Sequence, residues 1–155
     1  MSKSLKRVAR VLQDAGLPDT IVEAGDARTA ELAAAACDCA IDQIVKSIIF
    51  CGQESGAIRL FLTAGGNRIC ADKASALVGE GLGRADAHLV RATTGFAIGG
   101  VSPVGHLSPS PCWIDPRLLD FAQVWAAAGT PRHVFAIAPT MLISLADAHV
   151  ADFVE

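Results

Sequence analysis

Apolar residues first recur at helical spacing: Leu5, Val8, Leu12 and Ala15 share one face of 4–15, with Lys6, Arg7, Arg10 and Asp14 opposite. Gly16 is placed to end that helix, and Pro18 prevents its continuation. Ile21-Val22 predicts a short strand. Residues 26–36 predict a second, alanine-rich helix with Asp26 or Thr29 as its cap. The period then shortens. Residues 43–51 and 57–63 read as strands joined by the hairpin connection Gly52-Gln53-Glu54-Ser55-Gly56. After a turn at Gly65-Gly66-Asn67, a helix is expected over 72–78, a short strand over 87–91, and a glycine-rich loop over 94–106. Trp113-Ile114 looks extended, and Asp115-Pro116 caps a brief helix over Arg117–Leu119. Strands over 121–125 and 133–137 flank the turn Ala128-Gly129-Thr130-Pro131, and 141–146 closes the chain as a helix.

Short strands interspersed with short helices, without regular βαβ spacing, predict an α+β domain. Its sheet is expected to be mixed, mostly antiparallel and barrel-like, flanked by those helices. The chain has 155 residues, 52% of them hydrophobic, and shows no linker, repeat or low-complexity tract, so 1–155 reads as a single domain. Thirteen basic against sixteen acidic residues leave a net charge of −3. That balance gives no global basic field to advertise nucleic acid, although Lys3, Lys6, Arg7 and Arg10 cluster locally and Arg84 and Arg91 flank a later segment. No window approaches the roughly 20 apolar residues of a membrane span. The basic N-terminus carries no apolar h-region, so no secretory signal is expected. Five cysteines in no paired framework suit a reducing cytoplasm.

Two features carry candidate chemistry. Lys46 sits inside the strand run Ile44-Val45-Lys46-Ser47-Ile48-Ile49-Phe50. Its ammonium either snorkels out at a strand edge or projects into a pocket, where it meets a carbonyl, phosphate or carboxylate. Desolvation there lowers its pKa. The second feature is the loop from Thr94 to His106, nearly free of side chains at Gly99-Gly100. Its glycines either meet dihedral demands only or expose backbone N–H groups to an anion or carbonyl, with Ser102 offering a hydroxyl and Pro103 stiffening the exit. No Walker or dinucleotide pattern surrounds it. His133 reads as a packed or rim residue, or as a ligand contact. Cys37 and Cys39 lack zinc rhythm with Cys51, Cys70 and Cys112, so neither metal nor cofactor is expected. No nucleophile elbow or nucleophile–base pair appears, and the chemistry is therefore not expected to rest on a side-chain nucleophile.

The order of these pieces resembles the YbaK family of free-standing aminoacyl-tRNA deacylases, related to the editing domain of bacterial prolyl-tRNA synthetases. The likeness runs through Arg28-Thr29-Ala30, Gln43 to Ser47, Gly95 to Pro103, Trp113-Ile114-Asp115 and Ala128 to Pro131, and so spans almost the whole chain. It implies the fold of that editing domain and hydrolysis of a mischarged aminoacyl-tRNA bearing a small residue of the alanine, cysteine, serine or threonine class. Lys46 stands at the family's pocket lysine, and Gly99-Gly100-Val101-Ser102-Pro103 matches its Gly-x-x-x-Pro loop, whose amides face the aminoacyl carbonyl. Lys46 and Gly100 thus take catalytic roles by resemblance. Ser47, Gly99, Val101, Ser102, Pro103 and His133 take substrate-binding ones. The implied partners are the 3′ end of tRNA and an aminoacyl-tRNA synthetase, with no membrane or DNA. The alternative is a non-catalytic tRNA- or synthetase-binding module of the same fold.

Overall fold

The structure is a computed structural model describing residues 2–155. Helix α1 (Lys3–Asp14) begins where the Ser2 hydroxyl accepts the Leu5 N–H, and it buries Leu5, Val8 and Leu12. Strand β1 (Val22–Glu23) follows. Helix α2 (Ala30–Cys37) starts later than Asp26 because Thr29 is the cap, its hydroxyl accepting the Leu32 N–H. Asp26 instead grips Arg28 through both carboxylate oxygens, at 2.9 Å each.

The expected hairpin forms from β2 (Ile44–Gly52) and β3 (Ile58–Ala64), antiparallel with Lys46 opposite Thr63. After α3 (Ala71–Val78) come β4 (Leu82–Arg84) and α4 (Ala87–Thr94). The last corrects the strand expected at 87–91. Its buried residues, Val90 and Thr94, lie four apart on one helical face, and Gly95 ends it at φ +82°. Strand β5 (Cys112–Ile114) leads into a 3₁₀ turn over Pro116–Asp120, then β6 (Val124–Ala127), β7 (His133–Ile137), α5 (Pro139–Ala146) and β8 (Ala148–Val150). Neither β4 nor β8, at three residues each, is long enough to show a period.

These strands make one mixed sheet in the order β1-β7-β6-β2-β3-β5-β8, with β4 also on β2. Pairing is mostly antiparallel, but β6 joins β2, β5 joins β3 and β8 joins β5 in parallel. The sheet is α+β and mixed as expected, yet it stays open and does not close as a barrel. Among the described residues, no helix is long and apolar enough to cross a membrane.

The main core lies between one sheet face and α1, where Leu5, Val8 and Leu12 meet Val45, Leu60, Leu62 and Phe135. On the other face, fully buried Phe61 stacks on Trp113 at 5.1 Å and meets Phe50 and Phe153 edge-on. A third, small cluster packs the alanines of α2 against Ile44 and Trp125. Removing a ring so enclosed leaves a cavity that its neighbours cannot refill. Phe61→Ala should therefore cost about 3–5 kcal/mol, read as a lowered urea midpoint with an unchanged denaturant slope.

Candidate functional site

Strand β2 has β3 along one edge, but its other edge is shared. Strand β6 pairs with Ile44 and Val45, and β4 pairs with Phe50, Cys51 and Gly52. Lys46, Ser47, Ile48 and Ile49 lie between them with no strand on that side, leaving roughly 13 Å of open edge at 3.3 Å per residue. Antiparallel geometry points alternate backbone N–H and C=O groups into this gap. A cavity of about 540 Å³ occupies it, walled by Lys46 and Ser47 from β2 and Thr29 to Glu31 from the start of α2. Arg84 and Ala85, Ile98 to Gly99 with Val101, Trp125, and Thr130 with His133 complete the wall. A gap in the sheet lets successive β2 residues, which point to opposite faces, reach one cavity.

Lys46 is held by a backbone acceptor: its Nζ donates to the Asn67 carbonyl at 2.5 Å. Asn67 is itself fixed, because its Nδ2 donates to Asp115 Oδ2 at 2.9 Å. Asp115, only 1% exposed, also accepts the Ala64 N–H at 3.1 Å and the Arg117 N–H at 3.0 Å. Two N–H groups of Lys46 remain for a ligand. Burial pushes the Lys46 pKa below the ordinary lysine value and Arg68 lowers it further, while Glu31, Asp115 and Asp42 oppose the fall. Next to it, the Ser47 hydroxyl is shut off from solvent and has no hydrogen-bond partner among the described residues. An unpaired buried hydroxyl costs about 1–3 kcal/mol.

The loop borders the same space as Lys46. Gly99 and Val101 line the cavity, whereas Gly100, Ser102 and Pro103 lie behind them. The Gly100 N–H is committed to the Ala97 carbonyl at 3.1 Å. Those of Ile98, Gly99, Val101 and Ser102 donate to no described residue. Gly100 is glycine for a packing reason: a Cβ there would come within 2.8 Å of the Thr130 backbone. Gly99 has φ +94°, which disfavours a side chain. Ser102 secures the loop exit, its hydroxyl accepting the Val104 N–H at 3.2 Å and its carbonyl accepting from His106 Nε2 at 2.6 Å. His133 lines the cavity with Nδ1 2.7 Å from the Thr130 hydroxyl, an oxygen that also accepts the Arg132 N–H.

Of the residues predicted from sequence, Lys46, Ser47, Gly99, Val101 and His133 thus share one cavity, with Gly100, Ser102 and Pro103 shaping its loop. Sequence reasoning missed Glu31, Thr130, Trp125 and the Asp115–Asn67 support. Asp115 reads as a helix cap, and its second role depends on a contact with residues about fifty positions away. The arrangement offers cationic and amide donors around a small, largely apolar space, suited to a polarised carbonyl.

Comparison with known proteins gives a consistent picture. Residues 24–145 match the aminoacyl-tRNA editing domain family. No curated protein matches the chain. A crystal structure of a proposed trans-editing enzyme for prolyl-tRNA synthetase is 46% identical, with TM-score 0.91 over 100% of this chain and 99% of that one. A structure from the grafting of linear epitopes onto scaffold proteins is 44% identical, with TM-score 0.91 and the same coverage. A hypothetical protein of known structure is 26% identical, with TM-score 0.86 over 96% and 99%.

The tight seat of Gly100 yields a test that needs no substrate. Gly100→Ala should push the loop off Thr130, raising amide exchange over 97–102 at least tenfold and costing about 1–3 kcal/mol of stability. Exchange in β2 and β3 should stay unchanged.

Proposed function

We propose, from the premise that this chain belongs to the aminoacyl-tRNA editing domain family, that it is a deacylase acting in trans on tRNA mischarged with a small amino acid. The observation that carries this reading is the cavity in the β2 gap, which Lys46 lines together with Gly99 and Val101, whose N–H groups donate to no described residue. Water attacks the ester carbonyl, a C–O bond forms, and negative charge collects on the carbonyl oxygen. The Gly99 and Val101 N–H groups, with Gly100 seating the bend, supply an oxyanion hole. Each such donor is worth roughly 2.7–4 kcal/mol at the transition state. The bond to the ribose 3′ oxygen then breaks, that oxygen takes the proton given up by the attacking water, and the free amino acid leaves.

Lys46 anchors the terminal phosphate or adenosine end, and exposed Arg84 at the cavity wall adds a second cation for the backbone. The vicinal ribose hydroxyl orients the attacking water, which removes the need for a protein base. Ser47 and His133 contact the aminoacyl group, while Ser102 and Pro103 stiffen the loop exit. Trp125, Ile48 and Ile49 on the wall limit the room and favour a small side chain. Such a second site is useful because a synthetic site rejects an analogue differing by one methylene only about 10–200-fold. A tRNA substrate and five free cysteines fit a cytoplasmic setting, with a synthetase as the source of mischarged tRNA.

Two outcomes are expected. Wild type should release free amino acid from at least one of tRNAs charged with alanine, cysteine, serine or threonine, and Lys46→Ala should slow release about 100-fold or more while keeping its circular dichroism. Binding without release in wild type would identify a non-catalytic module instead. The second outcome concerns pH. Lys46 works as an ammonium, and its pKa lies below the ordinary value, so the charged form is lost as pH rises through that lowered pKa. After subtraction of spontaneous ester hydrolysis, kcat/KM should fall on an alkaline limb below pH 10.5, the ordinary lysine value. That limb should be absent in Lys46→Ala.

A further inference from the structure

Helix α1 lies before the span matched by the editing family, which begins at residue 24, and none of its residues lines the cavity. Its basic residues nevertheless divide into two kinds. Lys3, Lys6 and Arg10 are exposed, whereas Arg7 is half-buried and turned inward. Arg7 Nε donates to the Gly105 carbonyl at 2.7 Å, and Nη2 makes a longer contact to the Thr94 carbonyl at 3.4 Å. The same guanidinium lies 4.6 Å from the centre of the Phe96 ring. One planar cation therefore joins the two ends of the loop that carries the Gly99–Val101 bend.

Other contacts act in the same direction. The Ser4 hydroxyl donates to the Gly95 carbonyl at 3.3 Å. A Cβ on Gly95 would strike Arg7 Nη2, and one on Gly129 would meet the Ser4 carbonyl at 2.9 Å. So α1 touches both the loop and the turn Gly129-Thr130-Pro131 on which Gly100 rests. His106 extends the chain of contacts: its ring meets Phe96 edge-on at 5.6 Å, and its Nε2 donates to the Ser102 carbonyl, next to Val101.

We infer that Arg7 is a positioning residue, which sets the Gly99–Val101 amides against the cavity by clamping the loop ends, and that its charge is not part of a tRNA-docking patch. A guanidinium suits this task, because its fixed fork meets two carbonyls while its face covers a ring. Lysine keeps the charge but loses the fork. A shift of about 1 Å in catalytic geometry costs up to roughly 100-fold in rate, so slackening the clamp is felt at the bend although nothing at the cavity wall changes.

The test uses the full chain with Arg7→Gln and Arg7→Lys, and Lys6→Ala as the outward-facing control. Amide exchange over 96–105 should rise at least tenfold in Arg7→Gln, with α1, β2 and β3 amides near wild type and Arg7→Lys intermediate. This arm needs no substrate, so it stands even if the deacylase reading fails. In the activity arm, on whichever mischarged tRNA wild type cleaves, kcat should fall roughly 10- to 100-fold with KM within about twofold and an unchanged salt slope. Unchanged loop exchange in Arg7→Gln would overturn the inference. So would equal loosening of β2 and β3, which makes α1 a core element only. A raised KM with kcat intact and a salt slope reduced by about one would overturn it too, since that marks a phosphate contact. If Arg7→Gln does not fold, Arg7→Lys faces the same readouts.

Discussion

The interruption of pairing along one edge of β2 is the constraint on which the site depends. A continuous neighbour there would satisfy the edge, and the side chains of Lys46 and Ser47 would fall on opposite faces of a closed sheet. Because the pairing with β6 ends at Val45 and that with β4 starts at Phe50, the stretch of β2 between them borders a cavity instead. The cost is a stretch of strand edge without a ladder partner. It is tolerable because α2, the 94–106 loop and the turn before β7 cover the opening, and because a bound ligand can use the open groups.

A half-buried ammonium needs a fixed acceptor, and the fold provides one through a short relay. Asp115 is buried yet accepts three N–H groups, which together offset its desolvation. One of them belongs to Asn67, whose carbonyl then receives Lys46. The turn Gly65-Gly66-Asn67 is tied down a second time where the Gly66 N–H donates to Asp42 at 2.9 Å. On the facing wall, α1 and the Gly129 turn hold the glycine-rich bend. The cavity is therefore bounded by two supported surfaces, each braced by residues that do not face the cavity themselves.

Much of this was legible in the sequence because it rests on local signals. The amphipathic stripe of α1, the choice of Asp26 or Thr29 as the α2 cap, the β2–β3 hairpin and the Asp115-Pro116 helix start all follow from neighbours a few residues apart. Lys46 stood out for the same reason, as one charge within an apolar strand. The missed features depend on long-range contacts. Residues 87–91 carry strand-like residues but form a helix, because burial selects Val90 and Thr94 on one face. Strands of three residues, such as β4 and β8, exist only through their partners. Arg7 read as one member of a surface basic cluster, and only its contacts with Gly105, Thr94 and Phe96 give it another use. That Gly99 and Val101, not Gly100, present free amides also depends on a turn closed by Ala97.

A crystal structure with a hydrolysis-resistant 3′-aminoacylamino-adenosine shows whether the gap beside β2 receives an aminoacyl ester between Lys46 and the glycine-rich bend. The amide-linked carbonyl oxygen is expected about 2.7–3.1 Å from the N–H groups of Gly99 or Val101, with the nucleoside end toward Lys46. An analogue bound outside the gap, or seated in it with its carbonyl turned away from the bend, would overturn this reading of the site.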